Sequence, residues 1–416
     1  MSGNGEGSEQ EAARAGRGVL WTMTAKAVFI GTGFGVQVAL PQIFDDPEQW
    51  GRYSTVATIT AIVTNTLVAS MIQTVSKRTS EDEASADRTH REGLWIGMLL
   101  AFLLGGGFAA ASPLLATHWQ RDATLAPLLA TAAVVIVSYS LYSALIGSIN
   151  GRRQFSKQAS FDMGFALLRG GAIVIGALSF AAAGAIAGFA AASVIVLVIA
   201  LWVVGTGRGS AGRTDWRAWA AFLIPIAVYQ ASINGVLQLD QPLLRANLAD
   251  LAPESGYSAR EATAVASSLA GFYRAAQTFA FVPYQLILAV TFVVFPTIAR
   301  STSSGDAEAT RTAIRGAMRF SLIVLLAMAA PIAGASDGVM RVAYRETYLA
   351  GAPALAILAP GLVPFSLFAI GASILAGAGR ARTTAAIAFG ALVIVVAANT
   401  IAVRTVGVGP DALIAA

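Results

Sequence analysis

Long stretches without any charged residue are the feature that most constrains the fold of this chain. The longest covers residues 170–207, between Arg169 and Arg208, and similar stretches recur along the sequence. About 20 consecutive apolar residues are enough to cross the hydrocarbon core of a bilayer as a helix. Charged residues make up only 12% of the chain, whereas soluble domains have about 25%. The sequence therefore excludes a soluble globular enzyme and predicts an integral membrane protein.

The charge-free stretches predict an all-α polytopic membrane protein. Membrane β-barrels alternate apolar and polar residues over segments of about 10 residues, whereas these stretches are apolar throughout. A twelfth span is expected to begin at Pro410-Asp411 and to stop at Ala416, either because the chain is cut short within a helix or because its C-terminus is short. The eleven complete spans are predicted at 19–44, 53–75, 93–117, 125–147, 160–182, 184–205, 218–244, 268–298, 318–336, 353–376 and 384–403.

The distribution of Lys and Arg predicts the orientation, because basic residues concentrate in cytoplasmic loops. With the N-terminus in the cytoplasm, 18 of the 28 basic residues lie in inner segments, 7 in outer segments and 3 within spans. Treating 160–205 as one span would change the inner and outer counts to 14 and 11. We therefore favour two helices joined by a tight outer hairpin near Ala183-Gly184. Trp202 and four other tryptophans then lie near the inner face, as an aromatic belt requires.

Two pairs of segments about 220 residues apart resemble each other. The segment from Tyr139 to Arg152 resembles that from Phe365 to Arg380, and both end in Gly-Arg. This similarity is either a coincidence among Ala- and Leu-rich helices or a repeat of two six-helix lobes in a pseudo-two-fold arrangement. The second interpretation is a known transporter plan with the substrate site between the lobes. It divides the chain into a cytoplasmic tail, an N-lobe, a cytoplasmic inter-lobe loop and a C-lobe, at 1–17, 18–207, 208–217 and 218–416.

Several short motifs resemble those of the oligosaccharide flippases of bacterial polysaccharide biosynthesis. They belong to the multidrug/oligosaccharidyl-lipid/polysaccharide exporter superfamily. The similarity extends from about Gly18 to Arg404, and the order and spacing of its motifs carry more weight than any one of them. The motifs are Trp50-Gly51-Arg52-Tyr53, Gly147 to Phe155, Phe295 to Arg300 and Gly377 to Arg380.

The resemblance implies a function and a location. Members of this family have twelve to fourteen helices in two lobes. They move undecaprenyl-pyrophosphate-linked oligosaccharide from the inner to the outer leaflet of the bacterial cytoplasmic membrane, for surface polysaccharides such as lipopolysaccharide. The expected partners are the lipid-linked oligosaccharide and the bilayer, and the polysaccharide polymerase machinery is a further candidate. No motif in the chain predicts a cofactor, a metal site, a nucleic-acid partner or an enzymatic activity.

Five ionisable residues lie within the predicted spans, where a charge is costly and by default indicates a functional site. Asp162 and Arg169 are seven residues apart and share one face of span five. Asp240 ends span seven and Arg274 begins span eight, so these two are candidates for an ion pair. The alternative for all five is that each snorkels to an interface or pairs within the bundle. The fifth is Lys26, in span one.

Three of these five charges are basic, which suits an anionic substrate. Guanidinium groups bind phosphate oxygens in bidentate geometry. We hypothesise that Lys26, Arg169 and Arg274 bind the pyrophosphate headgroup in a water-filled cavity. Asp240, and with it Asp162, would hold an ion pair or take part in cation coupling.

Two other functions compete with the flippase. A cation-coupled multidrug exporter of the same superfamily would carry cationic substrates, and the basic excess within the spans argues against it. A sugar polymerase or ligase would have a large outer loop with catalytic or substrate-binding residues. The longest predicted outer loop, about 245–267, holds Asp250, Glu254, Arg260 and Glu261 without a histidine, and we interpret it as a solvated connector.

Overall fold

A computed structural model describes the backbone of residues 3–207, 214–303, 307–377 and 380–416. Within those ranges, the side chains of 3–20, 22, 83, 288–303, 307, 309, 376, 377 and 381 are not described. Most of the predicted inter-lobe loop 208–217 therefore lies outside the described residues. So do the side chains of the motif Phe295 to Arg300 and most of the motif Gly377 to Arg380.

The described residues form α-helices joined by short turns, and no strand occurs among them. The helix over Ala86–Trp119 contains two π-type segments, Ala101–Gly106 and Leu115–Trp119. The helices are α1 Gly3–Phe44, α2 Pro47–Glu81, α3 Ala86–Trp119, α4 Ala126–Gly151, α5 Phe155–Val204, α6 Trp216–Gln238, α7 Asp240–Leu251, α8 Ala259–Ser303, α9 Ala307–Gly334, α10 Ser336–Ala343, α11 Ala352–Gly377, α12 Ala381–Val406 and α13 Ala412–Ala415. This architecture confirms the predicted all-α membrane fold.

Nine helices of the described part are long and apolar enough to cross a membrane. The eleven predicted spans differ from this set in two places. Helix α5 contains both of the predicted spans 160–182 and 184–205. The predicted span 268–298 lies in α8, and part of its side chains fall outside the description.

Helix α5 is a helical hairpin. Its backbone leaves the helical region at Phe180 (φ −142°) and Ala181 (φ 49°), where the chain reverses. The two arms are antiparallel and in close contact, since a Cβ added to Gly176 would meet the backbone of Gly184 and one added to Gly188 would meet that of Ala172. Small residues permit such close approach of membrane helices. The preference for two helices over one long span is confirmed, with the turn slightly earlier than predicted.

The described chain divides into two compact units. Unit 1 comprises Met1–Val36, Val63–Ser112 and Pro127–Leu223, and unit 2 comprises Gln37–Ile62, Pro113–Ala126 and Ile224–Ala416. In unit 1, the buried core gathers rings and aliphatic side chains from α2, α3, α4 and both arms of α5, with Trp219 of α6. In unit 2, α8 packs against α7, α9 and α11, and α12 packs against α7.

The prediction of a solvated connector over 245–267 is correct only for 253–261, whose residues are exposed, and wrong for 245–252 and 262–267, which are buried or half-buried. Helix α7 continues to Leu251 and α8 begins at Ala259, so only a short turn separates them. Leu244 and Leu248 of α7 are completely buried. Their spacing of four residues places both side chains on one helical face, which packs within unit 2. Arg245 of the same helix is also completely buried, although the charge-based assignment had placed it in a solvated outer loop.

Candidate functional site

Unit 1 brings together three of the five charges that were predicted within spans. Lys26 lies on α1, and Asp162 and Arg169 lie on the first arm of α5. Lys26 is exposed, whereas the other two are half-buried. The charge of Lys26 acts on the Asp162 carboxylate. One basic and one acidic group therefore influence each other here, with a second basic group on the same helix as the acid.

Arg169 is held by aromatic rings and not by a carboxylate. Its guanidinium carbon lies 4.8 Å from the ring centroid of Phe29, 5.6 Å from that of Phe165 and 5.8 Å from that of Phe189. The Tyr139 hydroxyl is its hydrogen-bonding neighbour on α4. Among the described residues, no Asp or Glu forms an ion pair with this guanidinium. Stacking orients a guanidinium while leaving its charge uncompensated, so this group is suited to binding an anion.

The rings around Arg169 belong to a larger aromatic cluster that fixes their positions. Tyr139 lies edge-on to Phe165 at 5.5 Å and to Phe189 at 6.1 Å between centroids. Tyr142 contacts Phe165 at 6.1 Å. Such pairs contribute about 0.5–1.5 kcal/mol each beyond their buried area. The cluster therefore orients Arg169 through rings from three separate helical segments.

Unit 2 contains the other two charges, Asp240 and Arg274, which are linked through a third side chain. Gln277 donates from Nε2 to Asp240 Oδ2 at 2.9 Å and accepts from Arg274 Nη1 at 2.8 Å. Tyr273 donates its hydroxyl to Asp240 Oδ2 at 2.6 Å. The two charges form no direct ion pair; the amide of Gln277 lies between them. Arg274 Nε is buried without a partner among the described residues.

A buried arginine that sequence reasoning missed organises a second polar network in unit 2. Arg245 has an exposed fraction of 0% and donates from Nη2 to Asp122 Oδ2 at 2.7 Å. Its Nη1 donates to the main-chain oxygen of Gln120 at 2.8 Å, and its Nη2 to Ser267 Oγ at 3.0 Å. Arg52 of α2 approaches the same carboxylate at 3.6 Å. The network connects α2, the turn before α4, α7 and α8.

Burial lowers the pKa of the Arg245 guanidinium to about 10, and the nearby Asp122 opposes that shift. Arg245 follows the candidate span that ends at Gln238, and it remains charged at neutral pH. The sequence does contain a signal for its burial. Leu248 follows Leu244 by four residues and so continues the helical apolar pattern beyond the predicted end of span seven at 244.

The described residues contain no group of three His, Asp or Glu side chains that could hold a metal ion. The two units offer different chemistry instead. Unit 1 presents a stacked, uncompensated guanidinium, and in addition a lysine that acts on a carboxylate. Unit 2 presents arginines whose hydrogen bonds go mainly to other side chains. Of the five candidate residues, Arg169 is therefore the one best placed to receive an anionic group.

Comparison with known proteins gives the family and the fold. A family described as polysaccharide biosynthesis protein matches residues 15–302. The structure is similar to the lipid II flippase MurJ in an inward closed conformation, with a TM-score of 0.74 and 14% identity over 95% of this chain and 84% of that chain. It is also similar to an inward-facing multidrug resistance MATE family transporter of the MOP superfamily, with a TM-score of 0.69 and 15% identity over 93% of this chain and 89% of that chain.

A third similar structure is a MOP superfamily transporter from Pyrococcus furiosus, with a TM-score of 0.61 and 15% identity over 96% of this chain and 91% of that chain. No curated protein sequence matches the chain. Identities this low establish the fold alone, which is that of the MOP superfamily transporters. The family match covers more than half of the chain. The chain therefore belongs to the polysaccharide biosynthesis protein family.

Proposed function

We propose that this protein is a flippase for undecaprenyl-pyrophosphate-linked oligosaccharide. It moves the substrate from the inner to the outer leaflet of the bacterial cytoplasmic membrane by alternating access, for surface polysaccharide synthesis. Family membership supports a role in polysaccharide biosynthesis. The similarity to the fold of a lipid flippase is consistent with this role. In this proposal the N-terminus is cytoplasmic, and 18–207 and 218–416 are the two lobes.

The single observation that carries the proposal is the environment of Arg169. A pyrophosphate must leave water and enter a region of low dielectric, where an uncompensated charge is very costly. A guanidinium already oriented by aromatic rings offsets that cost without first having to break an ion pair. Lys26 of the same unit is exposed and adds a second basic group. A cationic drug would instead be repelled by these two side chains.

The remaining three residues have supporting roles in the proposal. Arg274 is the third candidate cation for the headgroup, since its buried Nε has no partner among the described residues. Asp240 accepts hydrogen bonds from Tyr273 and Gln277, which hold its side chain in place beside Arg274. Asp162 is the acidic group closest in the chain to Arg169 and is influenced by Lys26. Either carboxylate could release its partner when it binds a cation, which is the step that ion coupling requires.

The test is transport of a fluorescent lipid-linked oligosaccharide by the full chain reconstituted in vesicles. We expect Arg169→Gln to reduce the initial rate at least 10-fold, because one charge-assisted contact to phosphate contributes about 1.5–3 kcal/mol. Arg169→Lys should restore only part of the rate, because an ammonium cannot bind bidentately. Arg311→Gln, at an exposed arginine of α9, removes the same charge elsewhere and serves as the matched control.

Two outcomes would contradict the proposal. Transport by Arg169→Gln equal to that of the Arg311→Gln control would remove Arg169 from the substrate site. Efflux of cationic dyes without any movement of the lipid-linked oligosaccharide would favour the multidrug exporter. Deletion of the gene provides the cellular counterpart: the lipid-linked oligosaccharide should accumulate in the inner leaflet, with loss of surface polysaccharide.

A further inference from the structure

We propose that a cavity in unit 1 binds the phosphodiester headgroup of an anionic phospholipid. The cavity has a volume of about 510 Å³ and is open to the surface. It lies where α4 ends, α5 begins and ends, and α3 begins. The residues that matter for binding are Asp87, Arg152, Lys157, Trp202 and the segment 205–207. None of the residues around Arg169 lines it, so this is a second site.

The charges that line the cavity select a singly charged anion. Arg152 donates from Nη2 to Asp87 Oδ1 at 2.5 Å, which leaves its other guanidinium donors for a ligand. Among the described residues, Lys157 has no carboxylate partner. With His90 neutral, two cations and one carboxylate give a net charge of one. A phosphodiester carries one negative charge and matches this net charge, whereas a pyrophosphate carries more.

The residues that line the cavity indicate that it lies at the level of the lipid headgroups. Trp202 has an exposed fraction of 85% and lies in the last turn of α5, which ends at Val204. An exposed tryptophan at a helix end is typical of the headgroup level of a bilayer. Val203 and Val204 add apolar surface to the lining. A lipid can place its headgroup in the cavity and its acyl chains along the exposed part of α5.

The part of the lining formed by 205–207 is held in place by His90. Its Nε2 lies 3.1 Å from the main-chain oxygen of Gly205, which accepts its hydrogen bond. Gly207 has φ 84°, and a Cβ there would lie 3.0 Å from the His90 ring. Glycine therefore permits this segment to lie directly against the imidazole. The cavity is thus a built part of unit 1 with a defined wall.

The experiment is native mass spectrometry of the purified full chain during titration with single lipids. We expect phosphatidylglycerol to bind at least 10-fold more tightly than phosphatidylcholine. The double variant Arg152→Gln/Lys157→Gln should lower the affinity for phosphatidylglycerol about 25-fold, because each basic group near a membrane surface contributes about a fivefold factor. The double variant Arg311→Gln/Arg315→Gln removes two exposed basic groups of α9 and should leave the affinity unchanged.

A variant that should bind the lipid more tightly tests whether misfolding explains the loss of affinity in the double variant. Asp87→Asn removes the carboxylate of the cavity, and we expect it to raise the affinity for phosphatidylglycerol about fivefold. A damaged protein would not bind more tightly. Inorganic phosphate at millimolar concentration should not displace the lipid.

Three results would overturn the proposal: equal binding of the two lipids, equal loss in both double variants, or displacement by inorganic phosphate. The last would assign the cavity to a soluble phosphate compound. Because the measurement is lipid retention and not transport, the outcome is independent of the flippase assignment. A protein that fails to move lipid-linked oligosaccharide could still bind phosphatidylglycerol here.

Discussion

The buried pair of Arg245 and Asp122 leads to a prediction about stability. Replacing either residue should destabilise the protein, and replacing Asp122 should cost more. Both side chains are almost fully buried, with exposed fractions of 0% and 3%. Asp122→Asn removes the charge that compensates Arg245 and keeps nearly the same shape. Breaking a buried pair in this way costs about 3–5 kcal/mol, because a charge is left without its partner.

The converse change should cost less, because Asp122 has other partners. After Arg245→Met, the carboxylate keeps the main-chain N–H of Thr124 at 3.0 Å and the guanidinium of Arg52 at 3.6 Å. We therefore expect a loss of about 1–3 kcal/mol, the range for a lost hydrogen bond to a charged group. The double variant leaves neither charge unpaired, so its loss should be smaller than the sum of the two single losses.

The thermal stability of the detergent-purified variants tests the predicted order of the stability losses. Membrane proteins of this size commonly unfold irreversibly, so the half-life at one fixed temperature is the quantity to compare. Arg121→Gln is the control, since Arg121 pairs with Asp250 at 3.0 Å but is half exposed; it should cost no more than about 1 kcal/mol. Additive losses in the double variant, or a loss from Asp122→Asn no larger than that of the control, would refute the reasoning.

Two further predictions concern topology and the hairpin. The chain has no cysteine, so a single introduced cysteine reports on which side of the membrane its position lies. A membrane-impermeant maleimide added to intact cells should label Tyr257→Cys and should not label Ser80→Cys. The reverse result would contradict a cytoplasmic N-terminus. Gly176→Leu should lower the folded yield severely, because the new Cβ would meet the backbone of Gly184. Gly171→Leu is the control and should fold normally, because a Cβ at Gly171 meets no other atom. Equal yields of the two would show that the arms of α5 are not in close contact.

Sequence reasoning was most successful where the signal is local. Charge-free stretches of the right length predict helices, and the helices are present. The hairpin in α5 was inferred without any polar turn, because the positions of distant basic residues required an extra crossing. Small residues such as Gly176 and Gly188 then supply the close contact. The first inference depends only on length and composition along a continuous segment, whereas the second also uses the distribution of basic residues over the whole chain.

Prediction was less successful where a partner is far away in sequence. The Asp122 carboxylate that compensates Arg245 is 123 residues earlier in the chain, so no local pattern distinguishes this arginine from one in a solvated loop. The link between Asp240 and Arg274 shows the same difficulty at shorter range. Both charges were identified, but Gln277, which joins them, is a neutral residue that a search for charges passes over.

The contrast between Arg169 and Arg245 shows why residue type alone does not assign function within a membrane protein. Both are arginines close to apolar segments, and each would be costly to bury alone. Arg245 has its charge compensated by a carboxylate and its donors occupied by oxygens, which is the arrangement that stabilises a fold. Arg169 has rings on its faces and no carboxylate among the described residues. In the proposed flippase, the anionic headgroup of the substrate compensates this guanidinium only while it is bound, so that binding favours an anionic substrate over a cationic one.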